Sequence, residues 1–156
     1  MLQPLITRGR RYAEAAFAES RHVEVTALVE TEADLVTLTV QAANCNGDED
    51  NRTVFRRAVE QVVWQSDVRS VIVIAEVWIR VTRRYPTASR TPRPESEQRR
   101  EGLVVVVETP TEFSISISEI TRWDGEACLG PWREPPALSI PDLTGFLPRV
   151  TDGLVN

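Results

Sequence analysis

Ser70-Val71-Ile72-Val73-Ile74-Ala75-Glu76-Val77-Trp78-Ile79-Arg80-Val81-Thr82 decides how this chain is read. Its odd positions, from Val71 to Val81, are all apolar. Its even positions pass from Ile72 and Ile74 to Glu76, Arg80 and Thr82. Strand side chains alternate between faces, so the odd residues predict a core face. The run is rich in β-branched residues, which suit a pleated surface.

Two further runs continue the pattern. Gly102 to Thr109 carries Leu103, Val105 and Val107 alternating with Val104, Val106 and Glu108, and the first three are assigned to the same odd face. Thr109-Pro110-Thr111 makes the turn, because proline cannot serve a central ladder. From Glu112 to Arg122, Phe113, Ile115 and Ile117 alternate with Ser114, Ser116 and Ser118. Ile120 breaks that phase, which predicts a bulge or strand end near Ser118 and Glu119. Burial of each large side chain contributes roughly 1.5–3 kcal/mol, which would hold the register.

Before this meander, Arg8 to Glu19 is alanine-rich and predicts a short helix with Tyr12, Ala16 and Phe17 inward. Alternation of valine and threonine from Val23 to Val29 and from Leu35 to Ala42 predicts a hairpin across Thr31-Glu32-Ala33-Asp34. Asn44 to Asn51 reads as an acidic turn that caps the next helix. Its glycine and glutamate offsets do not fit a calcium loop. Asn51 to Gln65 is a helix with Val54, Phe55, Ala58, Val59, Val62 and Val63 on one stripe, and Trp64 is expected at the sheet margin. After Asp124-Gly125, a turn, the prolines Pro131, Pro135, Pro136, Pro141 and Pro148 leave an ordered, wrapped tail. The expectation is one α+β domain over residues 1–156, with a core of about 8–123 and a tail of about 124–156. It has an antiparallel sheet of about five strands, with two helices on one face.

Composition removes several chemistries. All 18 basic residues are arginine, so there is no phosphate-loop lysine, no Schiff-base lysine and no lysine general base. His22 is the one histidine, which excludes multi-histidine zinc sites. Cys45 and Cys128 have no metal-ligand spacing and read as free thiols. No apolar run reaches bilayer length, and Met1 to Arg8 lacks a secretory layout, so a cytoplasmic location without membrane contact is expected.

Three constellations bear on function. From Arg80 to Glu101 there are seven arginines against three glutamates, +4, which leaves −9 on the remainder of a −5 chain. Arg83, Arg84, Tyr85, Arg90 and Arg93 in this loop, with Trp78, are assigned to partner binding. Arginine forks suit carboxylates and phosphates. The acidic remainder repels a nucleic-acid backbone and favours an acidic protein partner or the protein's own acidic surface, and a plain solvated loop is the competing reading. Second, if Val81 faced Leu103, then Glu76 would face Glu108. Glu112 would follow across the next hairpin, and Glu119 would add a further carboxylate. That gives Glu76, Glu108 and Glu119 as a divalent-cation site, against the simpler reading that arginines pair with them. Third, Trp78, Trp123 and Trp132 could mark an interface or pack beneath the tail.

Glu76-Val77-Trp78, Arg93-Pro94-Glu95, Arg100-Glu101-Gly102-Leu103-Val104-Val105-Val106-Val107-Glu108, Ile120-Thr121-Arg122 and Leu129-Gly130 together resemble a pattern in uncharacterised small proteins of bacteria and their phages. The likeness covers about a third of the chain and implies an accessory or mobile-element protein. The leading reading is a non-enzymatic, self-associating interaction or assembly module without cofactor. The alternatives are a divalent-metal hydrolase using the sheet carboxylates, and nucleic-acid binding through the arginine loop.

Overall fold

The computed structural model describes residues 2–40, 51–80, 99–135 and 140–147, with the side chains of residues 80, 99 and 141 excepted. Helix α1 spans Gln3–Ser20 and α2 spans Asn51–Gln65. The strands are β1 Thr26–Thr31, β2 Leu35–Thr39, β3 Val68–Arg80, β4 Arg99–Glu108, β5 Phe113–Trp123 and β6 Glu126–Leu129. They form a single antiparallel sheet in the order β2-β1-β3-β4-β5-β6. The α+β class and antiparallel sheet follow the sequence reading. The sheet has six strands rather than five, because Glu126–Leu129 folds back on β5. The turn there is Asp124-Gly125, both at positive φ (51° and 79°), as a tight two-residue hairpin requires.

The helices lie on opposite faces, which corrects the expectation of a single covered face. Phe55 and Val59 of α2 pack with Val71, Val73, Val104, Val106, Ile115 and Ile117. Ile6, Ala13 and Phe17 of α1 pack with Ile72, Ile74, Leu103, Val105, Val107 and Ile120. Neighbouring residues of β3 and β4 therefore enter different cores. Near-continuous valine and isoleucine runs are what such two-sided burial demands. Ile120 needs no bulge, because its face is covered by α1; the β4–β5 register runs unbroken through it.

Helix α1 starts earlier than expected, since Pro4 fits a first turn where its missing N–H has no partner to lose. It ends at Arg21, whose left-handed backbone (φ 57°) sends its N–H to the Phe17 carbonyl. Its buried stripe is Ile6, Gly9, Ala13 and Phe17, while Tyr12 turns outward. At Gly9 the helix touches the sheet: a Cβ there would meet Val105 Cγ1 at 2.5 Å and Ile72 Cγ2 at 2.9 Å. Helix α2 keeps its predicted bounds, but Trp64 is 88% exposed rather than packed at the margin.

The tail segment 140–147 seals the α2 core. Ile140, Leu143, Phe146 and Leu147 are buried beside Phe55 and Val59. The Phe146 ring meets Phe55 edge-on, with centroids 6.2 Å apart. The wrapped tail is therefore seen over these residues, whereas the Asn44–Asp50 part of the acidic turn lies outside the described residues.

Candidate interaction surface

The end of the sheet from which β3 leads into the arginine-rich connection gathers most of the exposed chemistry. Strand β3 outruns β1: the β1 pairing stops at Thr26↔Ile74, whereas β3 pairs with β4 as far as Arg80↔Arg99. Past Ile74 the chain of residues 22–25 parts from β3. A recess of about 310 Å³ opens there, lined by His22, Glu24, Glu76, Trp78 and Glu101 among others. Trp78, opposite Glu101 in the ladder, is 70% exposed. Trp123, three residues past Ile120 on β5, is 82% exposed at the same end. Trp132 does not join them. It is half-buried, donates its indole N–H to Glu14 Oε1 (2.7 Å) and lies under the Arg10 guanidinium, 5.6 Å from the ring centre.

Beneath Trp78 the charges form a closed network on the α1 face. One oxygen of Glu76 accepts the Val23 backbone N–H (2.7 Å), and the other meets His22 Nδ1 (2.9 Å). Arg122 reaches Glu76 at 3.6 Å and Glu101 at 2.8 Å, and donates to the Arg21 carbonyl at 2.8 Å. Arg122 thus ties β5, β4, β3 and the end of α1 together. Arg122 bridges the two carboxylates, so neither is left to repel its neighbour. The simpler reading, that arginines pair with the sheet carboxylates, holds for Arg122 on Glu76, whereas His22 and Glu101 have no role in the sequence reading. Only cross-strand register brings them together, and no short-range spacing carries that signal.

The proposed cation site is dispersed. In the true register Glu76 faces Leu103 and Glu108 faces Val71, so Glu76 lies on the α1 face and Glu108 on the α2 face. Glu108 is 4% exposed and accepts backbone N–H groups from Gly145, Phe146 and Leu147, while Glu112 lies in the β4–β5 turn, where its carbonyl accepts the Thr109 N–H. Glu119 sits six ladder positions along β4 from Glu108, opposite Gly102. It is paired with Arg100 (3.2 Å) and Arg133 (3.9 Å). Among the described residues no three His, Cys, Asp or Glu side chains converge as a metal site.

Of the residues assigned to partner binding, Trp78 is exposed rather than packed beneath the tail. Arg83, Arg84, Tyr85, Arg90 and Arg93 lie outside the described residues. Their connection is anchored at both ends by the Arg80↔Arg99 pair, two positions beyond Trp78. Cys128 is a free, exposed thiol. Among the described residues no helix is long and apolar enough to cross a membrane. Comparison of the chain with protein-family models, with curated proteins and with solved structures gives no match.

Proposed function

We propose that this protein is a non-enzymatic interaction and assembly module that receives an acidic protein partner at the Trp78 end of its sheet. One observation carries the reading: Trp78 stands 70% exposed beside a recess, at the root of a connection with a local charge of +4. A large indole held on a strand and left in water is the residue type that dominates binding energy at protein interfaces. The arginines that the sequence carries in that connection supply forked donors for carboxylates. An accessory role accords with the resemblance to small bacterial and phage proteins. The hydrolase alternative loses its basis, because its three carboxylates occupy separate places and each is already bound by donors or arginines.

The test is cross-linked capture from native cells with the wild-type chain and with Trp78→Ala. The expected result is an acidic protein enriched by the former and lost with the latter, while the two chains melt at the same temperature. Equal capture by both removes Trp78 from the interface. Salt-sensitive binding to random DNA or RNA, lost in an Arg90→Ala, Arg93→Ala double variant, would replace the acidic protein with nucleic acid.

A further inference from the structure

The outermost strand, β2, is the sequence Leu35-Val36-Thr37-Leu38-Thr39, and among the described residues it pairs only with β1. Terminal strands are ordinarily blunted by charge, proline, a bulge or shortness, since their free N–H and C=O groups template further pairing. In a chain that is 26% charged, β2 has no charged residue, no proline and no glycine. The strand at the other end of the sheet, β6, is four residues long and contains Glu126.

The ladder fixes which groups of β2 are free. Thr31 donates to the Asp34 carbonyl and Val40 donates to the Val25 carbonyl, so the hydrogen-bonded pairs with β1 fall on Asp34, Val36, Leu38 and Val40. Hydrogen-bonded and non-hydrogen-bonded pairs alternate along an antiparallel ladder. The N–H and C=O of Leu35, Thr37 and Thr39 therefore point away from β1. These three residues are symmetric about Thr37.

We infer that β2 is a self-association edge, at which a second copy of this chain pairs antiparallel about a two-fold axis through Thr37. That register sets Thr37 against Thr37 and Leu35 against Thr39 of the other copy, and satisfies every outward group of the strand in three hydrogen-bonded pairs. Shifting it by two residues leaves some of them unpaired. On the α2 face it sets Val36 against Leu38. Both are half-buried at the margin of the α2 core, so the pairing extends that core across the axis. The strand itself is uncharged, so pairing it with a second copy of a −5 chain sets no like charges opposite one another within the strand. The two sheets become one continuous sheet, and the closed symmetry consumes both free edges. The inference rests on the reading of the chain as an assembly module, but it uses a different surface from Trp78, so either can fail alone.

The test substitutes the axis residue. Thr37 is exposed and its N–H faces away from β1, so Thr37→Lys and Thr37→Glu leave the fold's own ladder intact. Sedimentation equilibrium of the wild type is expected to show a dimer. Each variant alone sets like charges against each other and is expected to associate roughly tenfold or more weakly. An equal mixture of the two is expected to recover a heterodimer, seen by native mass spectrometry. Thr37→Pro, which deletes one outward donor, is expected to weaken association as well. A monomeric wild type at high concentration overturns the inference, as does an unchanged dimer in the charged variants or a mixture that shows no heterodimer.

Discussion

Glu108, on β4, takes the backbone N–H of Phe146 at 3.0 Å and that of Leu147 at 3.1 Å on the same carboxylate oxygen. Its other oxygen accepts from Gly145. A carboxylate inside a core is costly unless donors surround it, and here three consecutive amides do so. The benefit is mutual, because those amides sit in an irregular segment with no ladder to bond to. Residues 145–147 of the tail are thus hydrogen-bonded to the sheet through this carboxylate. Glu108→Ala is expected to destabilise the protein by about 3 kcal/mol, since it strands buried N–H groups. Glu108→Gln, with one acceptor oxygen in place of two, is expected to fall between. Urea unfolding measures the loss, and faster hydrogen exchange at Gly145, Phe146 and Leu147 is expected to locate it.

Arg56 holds the same segment from the helix side. Its guanidinium donates to the Thr144 carbonyl at 2.9 Å and to the Asp142 carbonyl at 3.4 Å, lies 4.7 Å from the centre of the Phe146 ring, and pairs with Glu60 at 2.9 Å. Planar stacking and forked donation are both needed, and lysine offers neither. Arg56→Lys is therefore expected to cost about 1 kcal/mol although it keeps the charge, and Arg56→Ala about 2 kcal/mol. Thermal melts of the two variants check the order. A lysine variant as stable as the wild type would reduce the contact to simple charge.

Much of this fold is legible in the sequence where one face is polar. The serine-isoleucine alternation of β5 and the single stripe of α2 each mark their element, although Ser116 and Ser118 are themselves buried, Ser116 against Arg10 of α1 and Ser118 against the Gly130 carbonyl. Strands β3 and β4 carry no such marker. Val104, Val105, Val106 and Val107 are interchangeable to any pattern argument, so a slip of one residue exchanges valine for valine and loses no burial. The expected facing of Val81 with Leu103 is displaced from the observed pairing of Glu76 with Leu103. That odd displacement reverses the parity of the two strands and separates Glu76 from Glu108. The exposed Trp78 is readable locally. The Glu76–Arg122–Glu101 network is not, because it depends on that same parity.

Gly9 sets how closely α1 approaches the sheet. Alanine would ordinarily improve a helix interior by up to about 1 kcal/mol. Here the added Cβ would lie 2.5 Å from Val105 Cγ1, on a branched side chain with little freedom to turn aside. Overpacking of this kind costs about 1–3 kcal/mol, so steric crowding outweighs propensity. Gly9→Ala is expected to lower the melting temperature, and Gly9→Val to lower it further. A stabilised Gly9→Ala would show that α1 can slide off the sheet without loss.

The two partners of Glu76 should separate by burial. His22 is exposed, with 64% of its side chain accessible, so its contact with Glu76 is screened and held against solvent. His22→Gln is expected to change stability by less than about 0.5 kcal/mol. The Val23 amide is different. Val23 is 4% exposed, and its N–H has the Glu76 carboxylate as its acceptor at 2.7 Å. Glu76→Ala removes that acceptor and one anchor of Arg122 together, so it is expected to cost about 2 kcal/mol. Glu76→Gln retains an acceptor for Val23 and should recover about half of that. Denaturant midpoints of the three variants decide the matter. If His22→Gln proved as damaging as Glu76→Ala, the histidine rather than the buried amide would be what the carboxylate is there to hold.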